Sequence, residues 1–216
     1  MATGTAEFAT RAVERLSLFS DAVAAIAITL LAIDLPVPSG PTVAAFWSSV
    51  RLNNSHYAAF LISFVVIAGA WSRHHDMFRY VVDIDTRLRQ LNMAWLLTVV
   101  LIPFATRLLT SRGHQTLGVH ALRLGFYALL QVVASALLLL MLRHLTGHQQ
   151  APETPDPEVT SLTRQSYGWL LGFGLSIPLF FAWSYAWVLW IVGPLAFSIW
   201  SRWRQPPAGE DKDDAG

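Results

Sequence analysis

Asp21 poses the first chemical question. It stands in RLSLFSDAVAAIAITLLAIDLP, Arg15 to Pro36, where every side chain from Ala22 to Ile33 except Thr29 is apolar. A carboxylate turned into hydrocarbon costs roughly 2.5–3.5 kcal/mol on insertion scales, so Asp21 must meet a partner on another segment. Arg15, six positions earlier, is poorly spaced for a pair within one helix. The natural partners lie in WSRHHDMF, which offers Trp71, Arg73, His74 and His75. Such a network is either a clamp between helices or a proton site, since histidine titrates near neutral pH.

Other chemistry is absent from the sequence. His56, His74, His75, His114, His120, His144 and His148 fall at helix ends or in loops rather than inside facing helices, where haem ligands sit. His74 and His75 point about 100° apart on a helix and cannot easily share one metal. There is no HExxH, no GxSxG, no Gly-rich phosphate loop and no TVGYG filter. With no cysteine there is no disulfide framework and no thiolate chemistry. An enzyme, a cofactor, a resident metal and a nucleic-acid partner are all unexpected.

These residues must be carried by membrane helices. The 216-residue chain is 54% hydrophobic and 13% charged, about half the charge of a soluble domain. Asp, Glu, Lys and Arg are missing from 52–72, 90–106, 124–142 and 165–201, and about 20 residues cross the hydrocarbon as a helix. A soluble bundle with so many apolar runs would have little polar surface left for water. A cleaved signal peptide is disfavoured by Asp21 and Asp34 and by the lack of a small-residue cleavage site. The expected class is therefore all-α, a polytopic membrane protein with six transmembrane helices near 16–35, 54–73, 88–109, 119–143, 163–182 and 185–203. Pro36, Pro38 and Pro41 end the first helix and open an outer linker. A tight turn near Ser184 joins the last two helices, which Pro178 and Pro194 should kink. Residues 1–14 form a cytoplasmic segment, 15–204 the membrane domain, and 205–216, rich in Pro, Gly and acid, a disordered tail.

Of the 15 Lys and Arg, Arg51, Arg107, Arg112 and Arg123 fall on one side and the other 11 on the side of the termini. That asymmetry predicts both termini in the cytoplasm. No internal repeat supports a secondary transporter.

At about 100° per residue, Ile26, Leu30 and Ile33 fall within about 60° on one face of the first helix. Phe19 and Ala22 extend that face and Thr29 lies beside it. Asp21 is about 140° away from Ile26. An apolar stripe on a membrane helix usually packs against another helix, so periodicity alone leaves its role open.

Three motifs in register narrow the choice. RLSLFSD fits an RxxxFSD signature, WSRHHDMF fits WxxHHxxF, and LNMAWLLTVVLIPFAT fits an LN…PFxT helix. Together, over residues 11–110, the chain resembles the prokaryotic branch of the endolysosomal potassium-channel family. The resemblance implies six helices per subunit, a homotetramer, a pore lined by the first helix without a re-entrant loop, and a constriction of bulky apolar side chains. These map onto Ile26, Leu30 and Ile33, the stripe already found by helical phase. Thr29 matches an adjacent polar layer, while Ala25 stands where serine can occur. Arg15, Phe19, Ser20 and Asp21 would form a structural polar network with Trp71 and His74. The expected function is a potassium-favouring cation channel of the bacterial plasma membrane, with K+ and other monovalent cations and the lipid bilayer as partners. A proton-conducting or proton-gated channel using Asp21 with His74 or His75 is the alternative, followed by a secondary transporter or a non-conducting scaffold.

Overall fold

The structure, a computed structural model, describes residues 2–111, 116–148, 157–181, 186–190 and 192. It is helical throughout, with no strand among the described residues. Helix α1 spans Ala2–Ile33, α2 Val43–Leu52, α3 Asn54–Phe78, α4 Thr86–Thr110, α5 Leu117–His148 and α6 Pro157–Leu179, with a 3-10 turn at Ala186–Val188. Glu7–Ile33 of α1 and helices α3, α4 and α5 up to Gly147 are long and apolar enough to cross a membrane. Helix α6 is 23 residues long, but Gln165, Ser166, Tyr167 and Gly168 dilute its apolar run. The sixth expected span, 185–203, lies outside the described residues apart from 186–190 and 192, as do the turn near Ser184, Pro194 and the tail at 205–216.

Side-chain pairs fix the directions of the helices. Asp21 meets Trp71 and Leu31 shares a cavity wall with Phe60, so α1 and α3 are antiparallel. Asn92 meets Ser20 and Arg107 meets Asp34, so α1 and α4 run parallel. His144 against Asp85 and Arg123 against the Ser111 carbonyl make α5 antiparallel to α4. Arg143 against Tyr167 turns α6 back again. Arg11, Arg15, Arg73, Arg79, Arg87, Arg89, Arg143 and Arg164 thereby gather at one end of the bundle, and Arg51, Arg107 and Arg123 at the other.

The core lies towards α5. In the most apolar window of α5, 56% of residues are buried, against 22% in α1 and α3; α5 is the interior of the chain and α1 its margin. Tyr127 of α5 stacks on Trp190 at 4.9 Å and sits 6.4 Å from Phe173 of α6. Trp190 Nε1 donates to Ser176 Oγ at 2.9 Å, so the aromatic cluster leaves its polar atom satisfied. A polar layer crosses three helices nearby. Ser63 Oγ lies 2.7 Å from Thr106 Oγ1 and 3.1 Å from Tyr127 Oη, all three buried.

The structure adds to the sequence reading in two places. The outer linker contains a helix, α2, capped by Thr42 Oγ1 accepting from the Ala45 amide at 3.2 Å. Gly40 makes the turn into it: a Cβ there would come within 2.7 Å of Ala45 Cβ. No residue of α2 is buried; its Phe46 and Trp47 suit a membrane interface. The helices also run past the limits set by hydropathy, with α1 starting at Ala2, α5 reaching His148 and α6 starting at Pro157. Charged residues end an apolar run but are good helix formers, so the backbone continues beyond the hydrocarbon.

Candidate functional site

Helix α1 has two faces of opposite character. Ser20, Ala24, Ala27 and Leu31 recur at steps of four, three and four, and all are buried. Three of them are small, which lets α1 approach α3 and α4 closely. On the opposite face Ile26, Leu30 and Ile33 are 59, 41 and 75% exposed in the single chain. Phe19, Ala22, Ala25 and Thr29 are exposed with them. Thr29 Oγ1 donates to the Ile26 carbonyl at 2.8 Å, which spends the hydroxyl proton inside the helix and leaves oxygen lone pairs outward.

Two polar clusters pin this helix near its middle. In the first, Asn92 Nδ2 donates to Ser20 Oγ at 3.0 Å, and Ser20 Oγ donates to the Leu16 carbonyl at 2.9 Å. Asn92 Oδ1 faces His74 Nε2 at 2.6 Å. With the Asn92 amide nitrogen committed to Ser20, His74 must be the donor, which assigns its proton to Nε2. The His74 ring stacks on Trp95 at 4.0 Å and lies 4.6 Å from Phe78. Ser20, His74, Asn92 and Trp95 are all buried. In the second cluster, Trp71 Nε1 donates to Asp21 Oδ1 at 2.7 Å. His75 Nδ1 lies 3.7 Å from the same oxygen, half exposed, with its ring 5.5 Å from that of Trp71. Consecutive residues diverge by about 100° on a helix, so Ser20 and Asp21 enter separate clusters, as do His74 and His75.

The sequence-expected network is thus brought together in part. Asp21 does meet Trp71. Ser20 does reach His74, but through Asn92, the asparagine of the LN…PFxT motif, which the expected network left out. His75 rather than His74 is the histidine beside Asp21. Arg15 and Phe19 lie on the exposed side of α1, and Arg15 makes no hydrogen bond or ion pair among the described residues. Arg73 is buried with its guanidinium 4.5 Å above the Trp169 ring of α6, away from Asp21.

The outer half of α1 is pinned separately. Asp34 Oδ2 pairs with Arg107 Nε at 3.2 Å, and Tyr57 Oη donates to the Pro36 carbonyl at 2.8 Å. The stretch of α1 from Ser20 to Asp34, which carries the stripe, is therefore held to α3 and α4 by polar contacts at both its ends. Among the described residues, no group of three or more His, Cys, Asp or Glu is placed to hold a metal.

Comparison with known proteins assigns this arrangement. The family described as endosomal/lysosomal potassium channel TMEM175 matches residues 15–103. A potassium channel of Streptomyces collinus is 32% identical over 169 residues, covering 77% of this chain and 82% of the relative. The chain belongs to the TMEM175 family. A crystal structure of a lysosomal potassium-selective channel TMEM175 homolog from Chamaesiphon minutus superposes with a TM-score of 0.72 at 26% identity, covering 88% of this chain and 98% of the homolog. A rat protein named endosomal/lysosomal proton channel TMEM175 is 28% identical over 114 residues, or 52% of this chain and 23% of the rat protein. Named TMEM175 proteins are ion channels, and the chain is a membrane protein of a non-enzyme family. The matched segment 15–103 holds α1 from Arg15 onward, α2, α3 and α4 as far as Pro103, and so includes every residue of the two clusters.

Proposed function

We propose that this TMEM175 protein is a potassium-favouring cation channel, assembled as a homotetramer in the bacterial plasma membrane with both termini in the cytoplasm. Helix α1 of each protomer lines the central pore, and Ile26, Leu30 and Ile33 form the constriction. The observation that carries the reading is that the stretch of α1 from Ser20 to Asp34 is pinned at both its ends, while its opposite face bears an uncovered stripe of Ile and Leu with a threonine beside it. The choice of potassium is supported by the Streptomyces relative, named a potassium channel, and by the Chamaesiphon homolog, described as potassium-selective.

The mechanism follows from hydration. A narrow apolar ring dewets and blocks; a slightly wider one passes ions that shed water readily. K+ holds its water less tightly than Na+, so rings of Ile and Leu favour K+ modestly. Thr29, its proton held by the Ile26 carbonyl, offers lone pairs to a partly dehydrated cation beside the constriction. Ala25 adds no oxygen, which keeps selectivity weaker than a carbonyl filter gives. The two clusters and the Asp34–Arg107 pair hold the pore helix against α3 and α4. Recording under a K+/Na+ gradient tests the reading: Ile26→Asn should raise Na+ permeation relative to K+, and indifference to polar substitution at Ile26, Leu30 and Ile33 together would exclude this pore.

Proton conduction is the second reading, favoured by the Asp21–His75 approach at 3.7 Å and by the name of the rat relative. A current carried by H+ in the absence of K+, and lost in His75→Ala, would select it.

A further inference from the structure

A hollow of about 470 Å³ opens at the arginine-rich end of α1, lined by Ala12, Arg15, Leu16, Phe19, Ile84 and Arg89. We propose that it binds a water-soluble organic phosphate of nucleotide size. Arg15 and Arg89 would take the phosphates, and Phe19, Leu16 and Ile84 the apolar or aromatic moiety.

Two guanidiniums from different helices converge on this space. Neither makes a hydrogen bond or ion pair among the described residues, and both are exposed. Planar guanidiniums bind phosphate in bidentate fashion and are the favoured side chains for it. Glu14 precedes Arg15 but is not among the residues that line the hollow, and the acids nearest Arg89 are committed elsewhere. Asp83 Oδ1 accepts from the Ile84 amide at 2.7 Å, and Asp85 caps α4 at Leu88 and contacts His144. Arg11, one turn before Arg15, faces Glu7 at 3.9 Å. The volume lies within the roughly 300–1,000 Å³ of small-molecule sites and exceeds what a bare phosphate fills. The remaining lining is apolar, with one aromatic ring, Phe19, half exposed. That combination suits a ligand with a charged end and a flat or greasy end.

The choice of a soluble ligand over a lipid headgroup rests on the proposed pore. At about 100° per residue, Arg15 and Phe19 share the angular position of Ile26. If the Ile26 face lines the conduction path, the hollow opens to its aqueous mouth and not to acyl chains. An anion bound there neutralises positive potential that repels entering cations, and so raises conductance most at low salt, where screening is weakest.

The test is calorimetric titration of the purified protein in detergent with ATP and, separately, with inorganic phosphate. It needs no ion flux, so its failure is distinct from failure of the pore assignment. ATP should bind more tightly than phosphate. Arg89→Gln should weaken ATP about tenfold, and Arg89→Lys should weaken it less. Ile84→Glu, which alters the wall and places a carboxylate in the hollow, should abolish binding independently. The proposal is overturned if wild-type protein does not bind ATP, or if Arg89→Gln and Ile84→Glu bind it unchanged. Arg89-dependent retention of phosphatidic acid in nanodiscs without ATP binding also overturns it, by assigning the site to lipid.

Discussion

The smallest unit that decides the behaviour of α1 is the amide of Asn92. It is fully buried and joins Ser20 of α1 to His74 of α3 by spending both ends of one side chain. Asn92→Leu keeps the volume and removes both bonds, leaving the His74 Nε2–H without an acceptor in a closed site. The expected cost is about 1–3 kcal/mol, read as a lower melting temperature of the detergent-solubilised protein. Trp71→Phe removes one donor from Asp21, which is partly exposed and keeps His75 nearby, so its cost should be smaller. Thr29→Val is the complementary case. It keeps the shape, removes an exposed hydroxyl and should change stability by less than about 0.5 kcal/mol. Under the proposed function it alters the K+/Na+ permeability ratio. A change of melting point without a change of ion preference would remove Thr29 from the conduction path. Helical phase alone separates Asp21 from Ile26, because phase is a local property. It does not reveal that His75 approaches Asp21 while His74 reaches Asn92. Those pairs join residues far apart in the chain, and only the packing of three helices determines them.

At the scale of the helix, the question is what holds α1 while its apolar stripe stays uncovered by the rest of its own protomer. The clusters at Ser20 and Asp21 and the outer Asp34–Arg107 pair bound the stripe-bearing stretch of α1, with small residues Ala24 and Ala27 packed between them. Arg107 is largely exposed, so the pair contributes about 1 kcal/mol or less to stability. Its value lies in fixing where the outer end of α1 sits. Arg107→Gln should therefore leave folding nearly intact, while changing single-channel conductance or open probability under the proposed function. The charge reversal Asp34→Arg with Arg107→Asp should restore both. Failure of the reversal to rescue would separate the pair from gating. Long apolar helices are legible in the sequence because about 20 consecutive apolar residues have few soluble uses. Helix α2 is not: ten residues with two serines and an arginine lack both the length of a span and a buried face. The helix ends are blurred for a related reason, since hydropathy reports the thickness of the hydrocarbon and not where hydrogen bonding stops.

At the scale of the molecule, charge and exposure agree. Arginine gathers at the end of the bundle where α1 begins and α3 leaves. That distribution sets orientation in a membrane. A cysteine placed at Ala44 in α2 should react with an impermeant maleimide in intact cells, and one at Arg79 only after permeabilisation. The reverse pattern would invert the topology. The low burial of α1 and α3 within one protomer leaves lipid or other protomers to cover them, and the proposed tetramer assigns one face of α1 to the shared axis. The native chain contains no cysteine, so single replacements give an unambiguous readout of that axis. The most direct measurement is block of K+ current by a positively charged methanethiosulfonate reagent in Ile26→Cys, Leu30→Cys and Ile33→Cys channels, with Leu97→Cys on the exposed face of α4 as the comparison. The account predicts irreversible block at the three α1 positions and none at Leu97. Block at Leu97→Cys with unimpeded current through all three α1 variants would contradict it.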